Sequence, residues 1–384
     1  LCQVVYDSAR TPVDVVCGAW NFDVGAVVPF AKPGAVLPGG FEIGTRKIRG
    51  VESHGMICSE RELGLGEDAA GILVLDADAP VGSEFAEYVA LPDVVFDLAI
   101  TPNRPDAMSM LGIARDLSAY FEVPYAMSEP ELPTVPGTPS TTVEIQDPTG
   151  CLRFTGREIQ DLAIGPSPFW MRQRLRAAGV RAISNAVDVT NYVMLELGHP
   201  LHSFDADRIV GEHLVVRRAD QDETMITLDD VERTLAGDDL VICDDTGPIS
   251  LAGTMGGATS EVSAETTRVF LEAATWNPPT IMWMSRRHGL RSEASARFER
   301  GVDPGLPLRA SSRATQLLAE MSGATVLEGV VDEIAVPVSE RKLSLPLSAV
   351  NRTLGGGFTS DQVSGLLVRL EMQVSGEDPL VVVV

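Results

Sequence analysis

Positive charge is scarce in this 384-residue sequence, and lysine is scarcer still. Thirty Lys and Arg face 54 Asp and Glu for a formal net charge of −24, and lysine stands only at Lys32, Lys47 and Lys342. An acidic surface of that size repels phosphate backbones at long range, which argues against nucleic-acid binding driven by net charge. No apolar run approaches the roughly 18 residues of a membrane span. The opening stretch, Leu1 to Val16, also lacks a basic start followed by an apolar core. The reading is a cytoplasmic protein with no membrane partner. Cysteine is sparse as well: Cys2, Cys17, Cys58, Cys151 and Cys243 are odd in number, scattered and without a CxxC pair. That excludes a disulfide framework and a zinc cluster of the usual spacing, leaving reduced thiols, mostly buried. Walker sequence, dinucleotide fingerprint, Ser-His-Asp order and paired carboxylates are all missing, so motifs alone define no enzyme.

What is present is ordinary globular material, 45% hydrophobic and 22% charged, long enough for about two to four domains. Opening on Leu1 and closing in the strand-like Pro379 to Val384, the chain reads as cut from a longer protein at both ends. Up to about residue 88, short apolar runs alternate with Gly and Pro turns, predicting a small closed β-barrel. Within it Thr45 to Gly50 is the one basic strand-like piece, carrying Lys47 and Arg49; a solvated edge strand and a binding strand are both open. Pro105 supplies the first turn of a helix predicted to run to about Phe121. Prolines at 124, 130, 133, 136 and 139 then mark 122–141 as a linker. The block from about 142 is mixed α and β. It holds a helix opened by Ser167-Pro168, strands at Leu214 to Arg217, Thr224 to Leu228, Leu240 to Cys243 and Val269 to Ala273, and a helix from Pro307 to Met321. From Arg341 onward a short helix and an amphipathic one follow, in a unit that stops before it could enclose a core of its own.

Four constellations carry chemistry. His199, His202 and Asp205 recur every third residue, which on a helix would suit a metal; Pro200 argues against helix, leaving a core histidine or a pocket-lining one, with His202 the better pocket member. Ser250 to Gly257 has glycines where a backbone can approach a ligand closely, although a tight hairpin explains them equally. Glu272 sits among apolar residues in Val269 to Ala274. It is either the outward member of an alternating strand or a deliberate buried polar group, since an unpaired buried carboxylate costs several kcal/mol. Between Ile281 and Arg313 seven arginines face three acids, and the run Arg286 to Arg300 interleaves them with Ser, Gly and Phe, suiting an anion or an RNA end.

Several segments together resemble the beta subunit of bacterial phenylalanyl-tRNA synthetases along essentially the whole chain. They are Asp14 to Ala19, Gly34 to Gly39, Gly55 to Ser59, Thr101-Pro102-Asn103-Arg104, Val187-Asp188-Val189-Thr190-Asn191-Tyr192, Arg286 to Leu290 and Arg297 to Pro304. The resemblance implies an α+β, multi-domain protein. Its parts would be an OB-type tRNA-binding β-barrel at 1–88 lacking its first strands, part of a split N-terminal domain plus linker at 89–141, an editing domain at 142–338, and the start of a partial helix-containing domain at 339–384. It further implies an α₂β₂ heterotetramer with the alpha subunit, the phenylalanine tRNA as partner, and ATP and Mg²⁺ for the whole enzyme, with the Mg²⁺ ligands beyond residue 384 and no cofactor held by this chain. The editing site would hydrolyse tyrosine wrongly attached to that tRNA, in a pocket of Asn191, His202, Gly256, Glu272, Ser292 and Ala294. Ser292 stands where close relatives often have threonine. Glu272 would accept the phenolic proton, and Lys47, Arg49, Arg286, Arg287, Arg291, Arg297 and Arg300 would be candidates for tRNA contact. Two competing readings are a structural, tRNA-binding subunit with a vestigial pocket and a free-standing binding module built on the barrel.

Overall fold

In Val269–Trp276 all eight residues are buried, a strand with both faces covered. It belongs to a computed structural model that describes every residue except 8–10, 67–68, 92 and 128. By internal contacts the chain falls into two units, residues 1–97 with 168–181, and residues 98–167 with 182–384.

In the first unit the expected short strands form, but no barrel closes among the described residues. They pair instead as four separate ladders, Cys2–Val4 with Val13–Val15, Phe30–Ala31 with Met56–Ile57, Val36–Leu37 with Phe41–Glu42, and Thr45–Ile48 with Val51–His54. Small clusters around Val15, Ile57 and Ile72, and around Ala31, Leu37, Ile43 and Cys58, hold them. The basic strand Thr45–Ile48 is exposed at all four positions, and Lys47 lies opposite Glu52. The helix that Ser167-Pro168 announces spans Phe169–Ala177 and joins this unit, where Phe169 packs with Leu73 and Val89. A cavity of about 1330 Å³ is bordered by Tyr6, Trp20, Phe22, Phe30 and Lys32.

The second unit opens on a 3₁₀ turn, Pro105–Met108, and then α1 (Met110–Phe121). One continuous helix was expected here. Ser109 divides it by adopting an extended backbone and accepting the Gly112 N–H as N-cap. Strands β1 (Thr142–Ile145) and β2 (Cys151–Gln160) follow, then α2 (Asn185–Leu197), β3 (His202–Asp205) and β4 (His213–Arg218). Next come β5 (Leu240–Asp244), β6 (Gly247–Leu251), β7 (Met255–Gly256) and β8 (Val269–Trp276). Helices α3 (Pro278–His288), α4 (Glu293–Phe298) and α5 (Pro307–Ser322) lead to β9 (Thr325–Leu327) and β10 (Val331–Ile334).

These strands form two sheets. One runs β1-β4-β5-β6-β7; the other runs β3-β8-β2-β9 and ends on Thr134–Val135, with β10 also on β2. Thr134–Val135 lies in the stretch expected to be linker, and its parallel pairing with β9 makes it part of the sheet. Phe154, Phe204, Phe270, Ala274 and Trp276 from one sheet meet Leu214, Val216, Leu240, Ile242 and Leu251 from the other in one core. Helix α5 covers the opposite face of the β2-β8 sheet. The final residues do close a small core, contrary to expectation. Val363, Leu380 and Val382 are buried among Leu345, Val350, Phe358 and Val374 beside a three-stranded sheet.

All five cysteines are free, and Cys58, Cys151 and Cys243 are buried. Burial pushes the Cys58 and Cys243 thiols up to about 12, and the Cys151 thiol upward as well. Iodoacetamide at pH 8 is therefore expected to label only Cys2 and Cys17 in the folded chain and all five after denaturation, counted by intact mass. Rapid labelling of a third site would contradict this burial.

Candidate functional site

Strand alternation decides where Glu272 points. On β8, Phe270, Ala274 and Trp276 face the core between the sheets, and Glu272 shares their parity, so it too points inward. It is 5% exposed. Its register partner on β3 is His202 and on β2 is Gly156, so the Glu272 and His202 side chains leave the same face of the sheet as cross-strand neighbours. His202, partly buried, meets the Phe204 ring edge to face at 4.5 Å between centroids.

From the other sheet, β7 brings Gly256 against the His202 ring. A Cβ built on Gly256 would lie 2.5 Å from His202 Cε1, 2.7 Å from Nε2 and 3.2 Å from Leu228 Cδ1. The Leu228 N–H in turn donates to the Gly256 carbonyl at 3.0 Å. Glycine is what lets this backbone lie against the imidazole. Gly156 does the same beneath Glu272, because a Cβ there would run into the Phe270 ring. His202, Gly256 and Glu272, 70 residues apart at their extremes, thus form one wall.

Ser292 reaches this wall indirectly. It is the N-cap of α4, accepting the Ser295 N–H, and its hydroxyl donates to the Thr254 carbonyl at 3.0 Å, two residues before Gly256. Ala294 packs against the central core. Asn191 lies partly buried on α2, the helix that contacts β3. The His199/His202/Asp205 spacing is not helical: β3 begins at His202, and Asp205 is held by the Thr266 hydroxyl at 2.6 Å. His199 is fully buried against Phe298, with both ring nitrogens unpartnered.

The arginine run is dispersed rather than gathered on one face. Arg297, 5% exposed, donates to the Met108 carbonyl and to Glu293. Arg300 lies against the Met108 sulfur, and Arg287 is paired with Asp238 and Asp239. Arg291, 74% exposed, makes only a long contact with Glu299, and Arg286 stacks over Trp283. Of this run Arg286, Arg287 and Arg291 are exposed, and Arg287 is neutralised by its two acids. In the first unit Lys47 and Arg49 are exposed.

No described residue gives the Glu272 carboxyl a hydrogen bond or an ion pair, and its oxygens are not fully enclosed. Burial alone raises its pKa from 4.5 to about 8 and lowers that of His202 from 6.5 to about 4, so at neutral pH both groups are held largely uncharged. Between pH 4.5 and 8 the unfolded chain has released the Glu272 proton that the folded chain keeps, so stability falls as pH rises through that window. For His202 the unfolded chain holds the extra proton, so stability falls as pH drops from 6.5 to 4. Glu272→Gln is expected to raise the melting temperature at pH 8 and to leave it nearly unchanged at pH 4. Parallel melting curves at the two pH values would contradict the buried neutral acid.

Residues 150–323 match the family described as "B3/4 domain", and residues 1–84 the family described as "Putative tRNA binding domain". The phenylalanine–tRNA ligase beta subunit of Geobacter sulfurreducens is 44% identical over 381 residues, covering 99% of this chain and 47% of that protein. The same subunit of Nitratidesulfovibrio vulgaris is 48% identical over 369 residues, covering 96% and 46%. The chain therefore spans about half the length of the curated relatives it matches. Among solved structures, an N-terminal fragment of the phenylalanyl-tRNA synthetase beta-subunit from Pyrococcus horikoshii is 15% identical, at a TM-score of 0.36, covering 76% of this chain and 83% of that one. That likeness is too slight to carry an argument.

Proposed function

The chain belongs to the family of phenylalanine–tRNA ligase beta subunits, and from that premise we propose that its second unit removes tyrosine from wrongly charged phenylalanine tRNA. The observation that carries the reading is Glu272, an unpaired carboxyl on a buried strand, beside His202, against whose ring the Gly256 backbone lies. Such a group is costly to keep unless something polar comes to it.

Tyrosine exceeds phenylalanine by one hydroxyl, so size exclusion cannot admit the larger and reject the smaller. A buried hydrogen-bonding partner can. Because burial keeps Glu272 protonated near neutral pH, its carboxyl offers a donor as well as an acceptor. The phenol donates to one oxygen and accepts from the other, where the sequence alone suggested a carboxylate acceptor. With phenylalanine bound, both capacities go unmet, which discriminates by a factor of ~10⁴. His202, neutral and fixed between Phe204 and Gly256, orients the ester and the attacking water.

Charging would take place with the alpha subunit in an α₂β₂ assembly, using ATP and Mg²⁺. Among the described residues no group of three or more His, Cys, Asp and Glu side chains could hold a metal ion, so they do not fit a Mg²⁺ site. The tRNA acceptor end would follow Arg286 and Arg291, with Lys47 and Arg49 available to the tRNA on the first unit.

Assembled with the alpha subunit and given tyrosyl-tRNA, the wild-type enzyme is expected to release tyrosine. His202→Ala should slow that release by about 10²-fold. Equal rates for the two would mark the pocket as vestigial, leaving a structural and tRNA-binding subunit.

A further inference from the structure

On the α5 side of the sheet, β2 buries an arginine that no acid neutralises. Arg157 is 8% exposed. Its Nε donates to Ser311 Oγ at 3.2 Å and its Nη2 to Ser312 Oγ at 3.0 Å, both on α5. Neighbouring arginines are treated differently. Arg153 makes a two-point pair with Asp332, and Arg313 another with Glu196. For Arg157 no described carboxylate lies within pairing distance, and burial alone lowers its pKa.

Hydroxyls are dipoles, not counter-charges, and burying an ion without one costs several kcal/mol. A guanidinium carries five N–H donors, and the serines use two. What remains is the outer fork, Nη1 with the second Nη2 proton, and Nη1 is not sealed from solvent. That fork is the planar two-point geometry that matches an oxyanion. One turn further along α5, Thr315 is fully buried with its hydroxyl unpartnered, so polar capacity on this face is in excess of what the protein uses. Residue 157 and residue 156 point to opposite sides of β2, so this place is separate from the Glu272 wall.

We propose that Arg157, framed by Ser311 and Ser312, is a socket for one small oxyanion. The ligand class is a free inorganic phosphate or a small carboxylate, which supplies the negative charge that the fold omits. The socket does not depend on the proofreading reading.

The test is the melting temperature of the full chain, titrated with inorganic phosphate and separately with acetate, from zero to 10 mM at an ionic strength held constant with sodium chloride in Tris buffer. Wild type is expected to show a logarithmic rise that sets in near ~1 mM and reaches about 4 °C at 10 mM. General salting effects would move wild type and Arg157→Gln alike. Arg157→Gln should lose the response. Ser312→Glu brings a carboxylate within reach of the fork, so it should melt about 4 °C higher than wild type without added anion and then ignore phosphate. If Arg157→Gln fails to fold, the Ser312→Glu comparison decides alone. No rise in wild type, or the same rise in Ser312→Glu, overturns the socket.

Discussion

Glu272→Ala in the assembled enzyme is expected to reduce the preference for tyrosyl-tRNA over phenylalanyl-tRNA from about 10⁴ to near unity. The reason is positional. Glu272 shares its strand face with Phe270 and Ala274 and has no hydrogen-bond partner of its own, so without it this strand face is apolar and loses the group that senses one oxygen. Phenylalanyl-tRNA should then be hydrolysed faster than by wild type, because the unmet polar group that rejected it has gone. Glu272→Gln separates charge from hydrogen bonding: an amide still donates and accepts, and should keep part of the preference, losing about 10- to 100-fold. Deacylation rates of both charged tRNAs measure this directly. Undiminished selectivity in Glu272→Ala would remove the basis of the proposal.

Gly256→Ala should be nearly as damaging, by steric exclusion alone. Backbone strain does not enter, since Gly256 is absent from the positive-φ glycines. The added methyl would instead lie 2.5 Å from His202 Cε1, closer than carbon atoms approach. The ring has little freedom to yield, being set edge to face against Phe204. Relief must come from moving His202 away from Glu272 or from parting β7 from the wall. The expected result is a loss of deacylation of about 10²-fold with a destabilisation of about 1–3 kcal/mol, read from rates and a melting curve on the same preparation. If the variant folds and retains full activity, the placement of His202 is immaterial to the chemistry.

Much of the α5 helix was legible, because Pro307 and Gly323 are local start and stop signals and the pattern between them is periodic. Helix α2 was not legible from pattern, since Ser184 makes no side-chain cap and buried positions run almost continuously from Asn185 to Thr190. The long strand β2 was missed because Arg153, Arg157 and Glu158 look like surface residues. Their partners are Asp332, Ser311 and Ser140, which only the fold brings near. Gly156 did carry a signal, a glycine inside a strand, that points to a close approach. The arginine run hid its pairing for the converse reason. Its density in sequence suits an anion or an RNA end, whereas the turn between α3 and α4 sends Arg287 to Asp239 and Arg297 to the Met108 carbonyl.

The edge pairing of Thr134–Val135 with Val326–Leu327 has a genetic consequence. Val135 and Leu327 are register partners on adjacent strands, about 4.8 Å apart, so the excursion between them departs from and returns to a single point. A segment with joined ends can be transplanted as a cassette, or circularly permuted with new termini at the Asp229-Asp230 turn, without rerouting its host. Such a graft would have to cut the bonds from Arg297 to the Met108 carbonyl and the pairing of β2 with β10, whose partners lie outside the excursion.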